Sequence, residues 1–371
     1  MISYVLPTRD RPDEVRRTLA AIERLGDHAE AGGAEVIIVD NASIDPVAAP
    51  PRLASGVSVK VLRRDRNESA AGRNAGAQAA SPDSAWLVML DDDSSPLDAG
   101  FLAALNQAPP DVAAISADIV LDQPAAGQTR REAGGLPEVF IGCGVAIRRE
   151  VFLALGGYDA AFDYYAEEYD LAARLLASGR RVAFEPRFRV HHRKVAGQRD
   201  FNRIIRRLVR NNGWVQQRYA PESQREAELW ETVRRYYAIA RKESALPGYV
   251  RGLGELCATL RRQPRTPLPG HLYDRLTGLA HAREAVAAAA AECPLGRVAL
   301  VARGKNAWAV ERALAEQGIV PGTDTEHADT LVIATLSPGP MLDAFDRLTR
   351  ERPGARVVQP WLHARSGALA A

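Results

Sequence analysis

Trp86-Leu87-Val88-Met89-Leu90-Asp91-Asp92-Asp93 sets five apolar residues directly before three carboxylates. A short apolar run of this kind, closed by polar residues, reads as a buried strand, with the acids in the loop at its end. Packing gives no reason to gather three negative charges there. A divalent cation does, because hard metals such as Mg2+ or Mn2+ take carboxylate oxygens and keep positions open for phosphate. The stretch therefore predicts an α/β sheet whose strand ends handle a metal-bound diphosphate.

The flanking segments repeat the pattern. Residues 2–6, 36–39 and 57–62 read as strands, and 12–25 and 70–80 as helices. Asp10 and Pro12 open the first helix, and Val15, Leu19 and Ile22 share one apolar face. Strands alternating with helices predict a mostly parallel sheet covered on both faces, with ligands at the carboxyl ends of the strands. Those ends carry Pro7-Thr8-Arg9, Asp40-Asn41 and Asp91-Asp92-Asp93, so three polar clusters converge on one rim. A helix is expected to start near Pro96.

After Pro109-Pro110 the pattern loosens. Gly142-Cys143-Gly144 precedes an apolar stretch ending at Arg148-Arg149. Glu167-Glu168-Tyr169-Asp170 opens a helix with Leu171, Leu175 and Leu176 inward and Gly179 as its stop. Residues 182–192 read as a strand with Phe184, Pro186, Phe188, Val190 and His192 on one face, and His191 on the other. From 201 to 262 the chain reads as helices. Arg193 to Arg218 holds eight basic residues against the single acid Asp200, above an apolar stripe of Phe201, Ile204, Ile205, Leu208 and Val209. A solvated helix face is the expected reading, with a seat for an anionic acceptor as the alternative. Pro264, Pro267 and Pro269 mark a linker. A second α/β unit follows, with strands at 298–301, 330–334 and 357–358 and helices at 307–317 and 341–350. Its first turn, Ala302-Arg303-Gly304-Lys305-Asn306-Ala307, has one glycine, not the glycine-rich set that admits a pyrophosphate. It reads as an accessory module without a working cofactor site.

The bulk numbers bound the partners. A chain of 371 residues exceeds one small core, and a net charge of +2 gives no overall field for nucleic acid. Three scattered cysteines (Cys143, Cys257 and Cys293) fit reduced thiols in a cytoplasmic protein. The opening Ile2-Ser3-Tyr4-Val5-Leu6-Pro7 has no signal-peptide pattern. No apolar stretch is long enough to span a bilayer, although peripheral contact with the inner face of a membrane stays open.

Five segments in order carry a resemblance: Pro7-Thr8-Arg9-Asp10-Arg11, Val39-Asp40-Asn41-Ala42-Ser43, Gly72-Arg73-Asn74-Ala75-Gly76, Asp91-Asp92-Asp93, and Glu167-Glu168-Tyr169-Asp170-Leu171 with His191-His192 downstream. With them, residues 1–200 resemble glycosyltransferase family 2, which has the GT-A fold. With the helices, prolines and second α/β unit beyond it, the chain divides into four expected parts: a GT-A domain at 1–200 by resemblance, a helical extension at 201–263, a linker and helix at 264–295, and at 296–371 a small domain that resembles a degenerate Rossmann-like module. The family resemblance carries further expectations. It also implies inverting sugar transfer from a nucleotide-diphosphate donor to an acceptor hydroxyl, in polysaccharide or glycoconjugate synthesis, with a glycan or lipid-linked acceptor and Mn2+ or Mg2+. By resemblance Asp93 holds the metal, and Asp91 and Asp92 face ribose and sugar. Asp40 accepts from the base, over a floor of Pro7 and Thr8. Arg11, Asn67, Arg73 and Asn74 are donor-side candidates, Arg73 suiting phosphate. His192 completes the metal shell. Glu168 is the candidate base, although the family usually has Asp there. Glu167 and Asp170 are the fallbacks, and with Cys143 they complete the acceptor side. Two other readings are a non-catalytic nucleotide- or glycan-binding scaffold of the same shape, and a sugar-nucleotide pyrophosphorylase. Pro7-Thr8-Arg9-Asp10-Arg11 lacks the glycine-rich loop expected of the pyrophosphorylase.

Overall fold

The computed structural model describes residues 1–121, 130–194 and 200–361. Its large sheet is built from β1 (Ile2–Thr8), β2 (Ala34–Asp40), β3 (Ser58–Arg63), β4 (Trp86–Leu90), β5 (Ser94–Pro96), β6 (Val112–Leu121), β7 (Gly144–Arg148) and β8 (Arg181–His192), in the order β3-β2-β1-β4-β7-β6-β8-β5. The helices around it are α1 (Pro12–Glu23), α2 (Gly72–Ala79), α3 (Gly100–Gln107), α4 (Arg149–Ala154) and α5 (Glu167–Ala177). This is the mixed α/β sheet flanked by helices expected of a GT-A fold.

Strand side chains alternate between two cores, as a period of two requires. Tyr4, Leu6, Val36, Ile38, Val88 and Leu90 fall in one apolar cluster. Val5, Ile37, Val39, Leu87 and Met89 fall in the other. Pro7, which has no N–H to donate, lies beyond Val5↔Met89, where the recorded pairing of β1 with β4 ends. Gly76 lets α2 approach the sheet closely, since a Cβ there would sit 2.5 Å from Val5 Cγ1.

The order β3-β2-β1-β4 is parallel throughout. Beyond β4 the sheet is mixed, because β7 runs antiparallel to both β4 and β6, and β5 antiparallel to β8. Two local expectations are corrected here. Residues 94–96 form a strand, and the next helix begins at Gly100. The face expected along 182–192 is broken by an irregularity where β8 pairs β6, between Glu185 and Arg189. Phe184 consequently joins the core beneath the C-terminal sheet, and Phe188 and Val190 join the β1–β4 core.

The chain continues through α6 (Phe201–Tyr219), α7 (Glu222–Lys242), α8 (Leu246–Thr259), α9 (Gly270–Thr277) and α10 (Leu279–Glu292). A parallel three-stranded sheet, β11-β10-β9, closes the described residues, with β9 (Val298–Val301), α11 (Ala307–Glu316), β10 (Thr330–Ile333), α12 (Pro338–Glu351) and β11 (Arg356–Val358). One apolar cluster runs from Leu176 and Phe184 through Trp214 and Tyr273 to Leu331 and Trp361. Arg131 adds ion pairs to Asp343 and Asp346 of α12, both at 2.9 Å. No helix among the described residues is long and apolar enough to cross a membrane.

Candidate active site

The antiparallel strands assemble the rim. Pairing of β4 with β7 sets Leu90 opposite Gly144, and pairing of β5 with β8 sets Ser94 opposite His192. The Cys143 turn and the end of β8 thus arrive beside Asp91-Asp92-Asp93. Ligand atoms of Asp91, Cys143 and His192 lie within 4.8 Å of one another. His192 Nε2 is 3.4 Å from Asp93 Oδ1, and its Nδ1 is 3.1 Å from Glu132 Oε2. Burial pulls the imidazole pKa down, but bonds to Asp93, Cys143 and Glu132 outweigh it and leave the pKa at about 12.

The three acids differ in their surroundings. Asp91 is half-buried and paired with Arg73, whose guanidinium is 3% exposed and also donates to the Leu90 carbonyl at 3.2 Å. Arg73 therefore braces the triplet from inside, which an exposed helix arginine could not do. Asp92 accepts from Thr8 Oγ1 at 2.8 Å and Arg11 Nη1 at 3.0 Å. Burial pushes its carboxyl up to about 6, with Thr8 and Arg11 holding it back. Arg11 also reaches Asp93 at 3.3 Å. The strand-end clusters of β1 and β4 thus meet as one network. Asp92 is turned to the β1 loop, however, and not outward toward a ribose or sugar.

Five other candidate residues have partners of their own within the protein. Asp40 is fully buried; it accepts from the backbone N–H of Ser43 and Val47 and from Arg63, so in this structure it shapes its own loop. Asn74 is bonded both ways to the backbone of Tyr158, at 2.8 and 2.9 Å. Asn67 is exposed and accepts from Ser69 N at 2.8 Å, a local turn contact. Asp170 is fully buried and held by Arg218 at 2.8 Å, Tyr219 Oη at 2.6 Å and Arg174 at 2.9 Å, so it is a structural hub and not an acceptor-side acid. Cys143 stands with Asp91 and His192. Burial pushes its thiol pKa up.

Glu167 and Glu168 stand at the start of α5, after a loop in which Asp163, Tyr165 and Ala166 all have positive φ. Side chains resist that conformation, so the loop must be held from outside. Asn211 of α6, fully buried, holds it by donating to the carbonyls of Phe162, Tyr164 and Tyr165 at 2.7–2.8 Å. Glu167 is buried with Oε2 unbonded, and burial reinforced by the charge of Glu168 raises its pKa well above the usual range. Glu168 accepts from Gly142 N at 3.3 Å, and burial raises its pKa too.

A cavity of about 1110 Å³ joins these parts, lined by Asp91, Arg73, Cys143, His192, Glu167 and Glu168 among others. Its remaining wall was not foreseen. Glu132, from an irregular stretch without a motif, pairs with Lys194 at 2.8 Å. Arg235 comes from α7, and Lys305 and Trp308 come from the C-terminal unit. Hydrophobic periodicity marks helices and strands but carries no signal for which distant loop closes a cavity. The basic segment also departs from a solvated face: Arg206 and Arg210 pair with Glu255, Arg207 with Asp163, and Arg218 with Asp159 and Asp170. Its Arg199 lies outside the described residues.

Residues 3–155 match the family model described as glycosyl transferase family 2. The chain is 26% identical over 211 residues to the pre-mycofactocin glycosyltransferase of Mycobacterium tuberculosis, a match covering 52% of this chain and 42% of the relative. It therefore spans less than half the length of the curated relatives it matches. Among solved structures, S. aureus TarS with UDP-GlcNAc is similar at a TM-score of 0.46 and 14% identity, over 87% of this chain and 93% of that one. The mannosyltransferase PcManGT of Pyrobaculum calidifontis, with GDP-Man and Mn2+, is similar at 0.45 and 17% identity, over 85% of both chains.

Proposed function

We propose, from the premise that residues 3–155 form a glycosyl transferase family 2 domain, that the protein moves a sugar from a nucleotide diphosphate to an acceptor hydroxyl with inversion. The observation that carries this reading is that Asp91, behind β4, and Glu168, at the start of α5, line the same cavity. Transfer needs charge stabilisation where the nucleotide diphosphate departs and a base where the acceptor hydroxyl attacks. The two acidic groups supply one function each.

Glu168 is the base. Burial raises its pKa above that of a glutamate in water, and Glu167, less exposed and raised well above the usual range, is the acid of the pair that holds its proton more firmly. On the donor side, Asp91, Asp93 and His192 would hold a divalent cation, whose chemistry is to stabilise the negative charge of the leaving diphosphate. Carboxylate oxygens suit Mn2+ or Mg2+ better than the Cys143 thiol does, and His192 would join them by giving up, on the cation's arrival, the proton that its raised pKa otherwise keeps. Arg73 fixes Asp91, and Thr8 with Arg11 fixes Asp92, so the acids keep their geometry without reorganisation.

The test is thermal stabilisation by UDP and GDP, each with and without Mn2+, followed by sugar release from matching donors. Metal-dependent stabilisation lost in Asp93→Ala, with donor turnover lost in Glu168→Gln, supports the reading. Nucleotide binding without release of sugar from any donor would instead identify a scaffold.

A further inference from the structure

Four lysine and arginine side chains line the cavity: Arg73, Lys194, Arg235 and Lys305. The first two are neutralised, Arg73 by Asp91 and Lys194 by Glu132. Neither Arg235 nor Lys305 forms an ion pair with a carboxylate among the described residues. Each lies over an aromatic ring. Lys305 Nζ lies 4.9 Å from the ring centroid of Tyr169, and Arg235 Cζ lies 5.0 Å from that of Tyr236.

The two groups also face each other electrostatically. Burial pulls the Lys305 pKa down to about 8, and the Arg235 charge contributes, against opposing pulls from Tyr236 and Glu168. Acids do stand nearby, since Glu168 acts on Lys305 and Glu231 on Arg235, but both stop short of pairing. Two partly buried cations that line one cavity with no paired carboxylate are costly unless an anion joins them. The cavity also has room for one, because about 1110 Å³ exceeds the roughly 300–1,000 Å³ of an ordinary small-ligand site.

We propose that Lys305 and Arg235 form an acceptor subsite for an anionic substituent, a carboxylate or a phosphate, carried by the molecule that receives the sugar. This rests on the reading of Glu168 as the base: an acceptor anchored through its anion beside Lys305 brings a hydroxyl to the neighbouring carboxylate. The C-terminal unit then belongs to the substrate site, through the turn after β9. Tyr164, Tyr169, Tyr236 and Trp308 offer flat faces for the rest of the acceptor. The arginines of α6 do not supply this subsite, since Arg206, Arg207, Arg210 and Arg218 are neutralised by internal carboxylates and the exposed Arg203 is not among the residues lining the cavity.

Calorimetric titration of the full chain tests the subsite, with Mn2+ and whichever of UDP and GDP binds already present, so that the donor site is filled. The probes are glucose, glucuronate and glucose 6-phosphate. At least one charged sugar is expected to bind about tenfold tighter than glucose, and which of the two does so separates a carboxylate from a phosphate. Lys305→Met should erase that advantage, Lys305→Arg should keep most of it, and both should leave nucleotide affinity unchanged. Equal affinities for the three sugars, or an advantage that survives Lys305→Met, overturns the subsite. Lys305-dependent binding of a charged sugar in a protein that binds neither nucleotide would leave the anion site standing and remove the sugar-transfer reading instead.

Discussion

Two parallel βαβ units build the molecule's ligand-facing ends, β1–α1–β2 and β9–α11–β10. Their topology is the same, and the turn after the first strand faces the ligand side in each. In the first unit that turn ends in Arg11, which meets Asp92 and Asp93 of a neighbouring strand end. In the second, the turn is fixed through its backbone, with Gly304 N donating to Ala334 O at 2.8 Å and Lys305 O accepting from Leu336 N at 2.9 Å. The Lys305 side chain then lines the cavity beside the Tyr169 ring, with no carboxylate paired to it among the described residues. Identical backbone layouts therefore give opposite electrostatic results. What decides is whether an adjacent strand end brings a carboxylate; where it does, the turn becomes part of the scaffold, and where it does not, the cation is left for a ligand.

The largest effect expected on this contrast is at the residue between the two walls. Glu168→Gln should lower the transfer rate by about 10²–10⁴-fold while metal-dependent nucleotide binding persists, the usual range for loss of a general base. The wild-type rate should rise with pH through a step above the ordinary glutamate range, because the base must lose its proton and burial raises its pKa. A Glu168→Gln enzyme of normal activity would detach the chemistry from α5 altogether.

Asp170 comes next and separates structure from chemistry within one acidic cluster. Asp170→Ala leaves Arg218 and Arg174 without their buried partner, and removal of one member of such a group costs about 3–5 kcal/mol. A lowered denaturation midpoint with an unchanged kcat in the folded fraction is the expected pair of results. A specific loss of kcat would return Asp170 to the acceptor side.

The contrast also explains what could be read from the chain. Trp86–Leu90 and the alternation of strands and helices around it made the parallel half legible, because each element buries its own periodic face. Ser94–Pro96 was missed since Ser94 and Ser95 give a strand no apolar signal. The convergence of Thr8 with Asp92 was legible, because strand ends share a rim in a parallel sheet. The fates of Asp40 and Asp170 were not. Whether a carboxylate is free depends on partners such as Arg63, and Arg218 lies 48 residues beyond Asp170. Lys305 was hidden for the same reason: a turn without a glycine signature says nothing about a cavity formed with α5 and α7.

Asn211→Ala should act more mildly on the acid-bearing wall. It frees the carbonyls of Phe162, Tyr164 and Tyr165, and loss of such buried hydrogen bonds costs about 1–3 kcal/mol. Because the loop holds three residues at positive φ, release should relax it and move Glu168. Chemical denaturation and turnover would both fall, whereas nucleotide affinity, set at the opposite wall, should not change.

The smallest effect expected lies in the turn that carries Lys305. A Cβ on Gly304 would sit 2.7 Å from Thr335 Oγ1 and 2.9 Å from Thr335 Cβ, so Gly304→Ala must shift one side of that contact. Thr335 is buried at the end of β10 and has little room to yield, so the turn is the part that moves. Strain of about 1 kcal/mol is typical of such overpacking, and the same free energy corresponds to about fivefold in affinity. If Lys305 acts as a charge positioned by its turn, Gly304→Ala should weaken charged sugars by a few-fold and leave glucose untouched. An equal loss for neutral and charged sugars would mean that the second βαβ unit shapes the cavity without contributing charge to it.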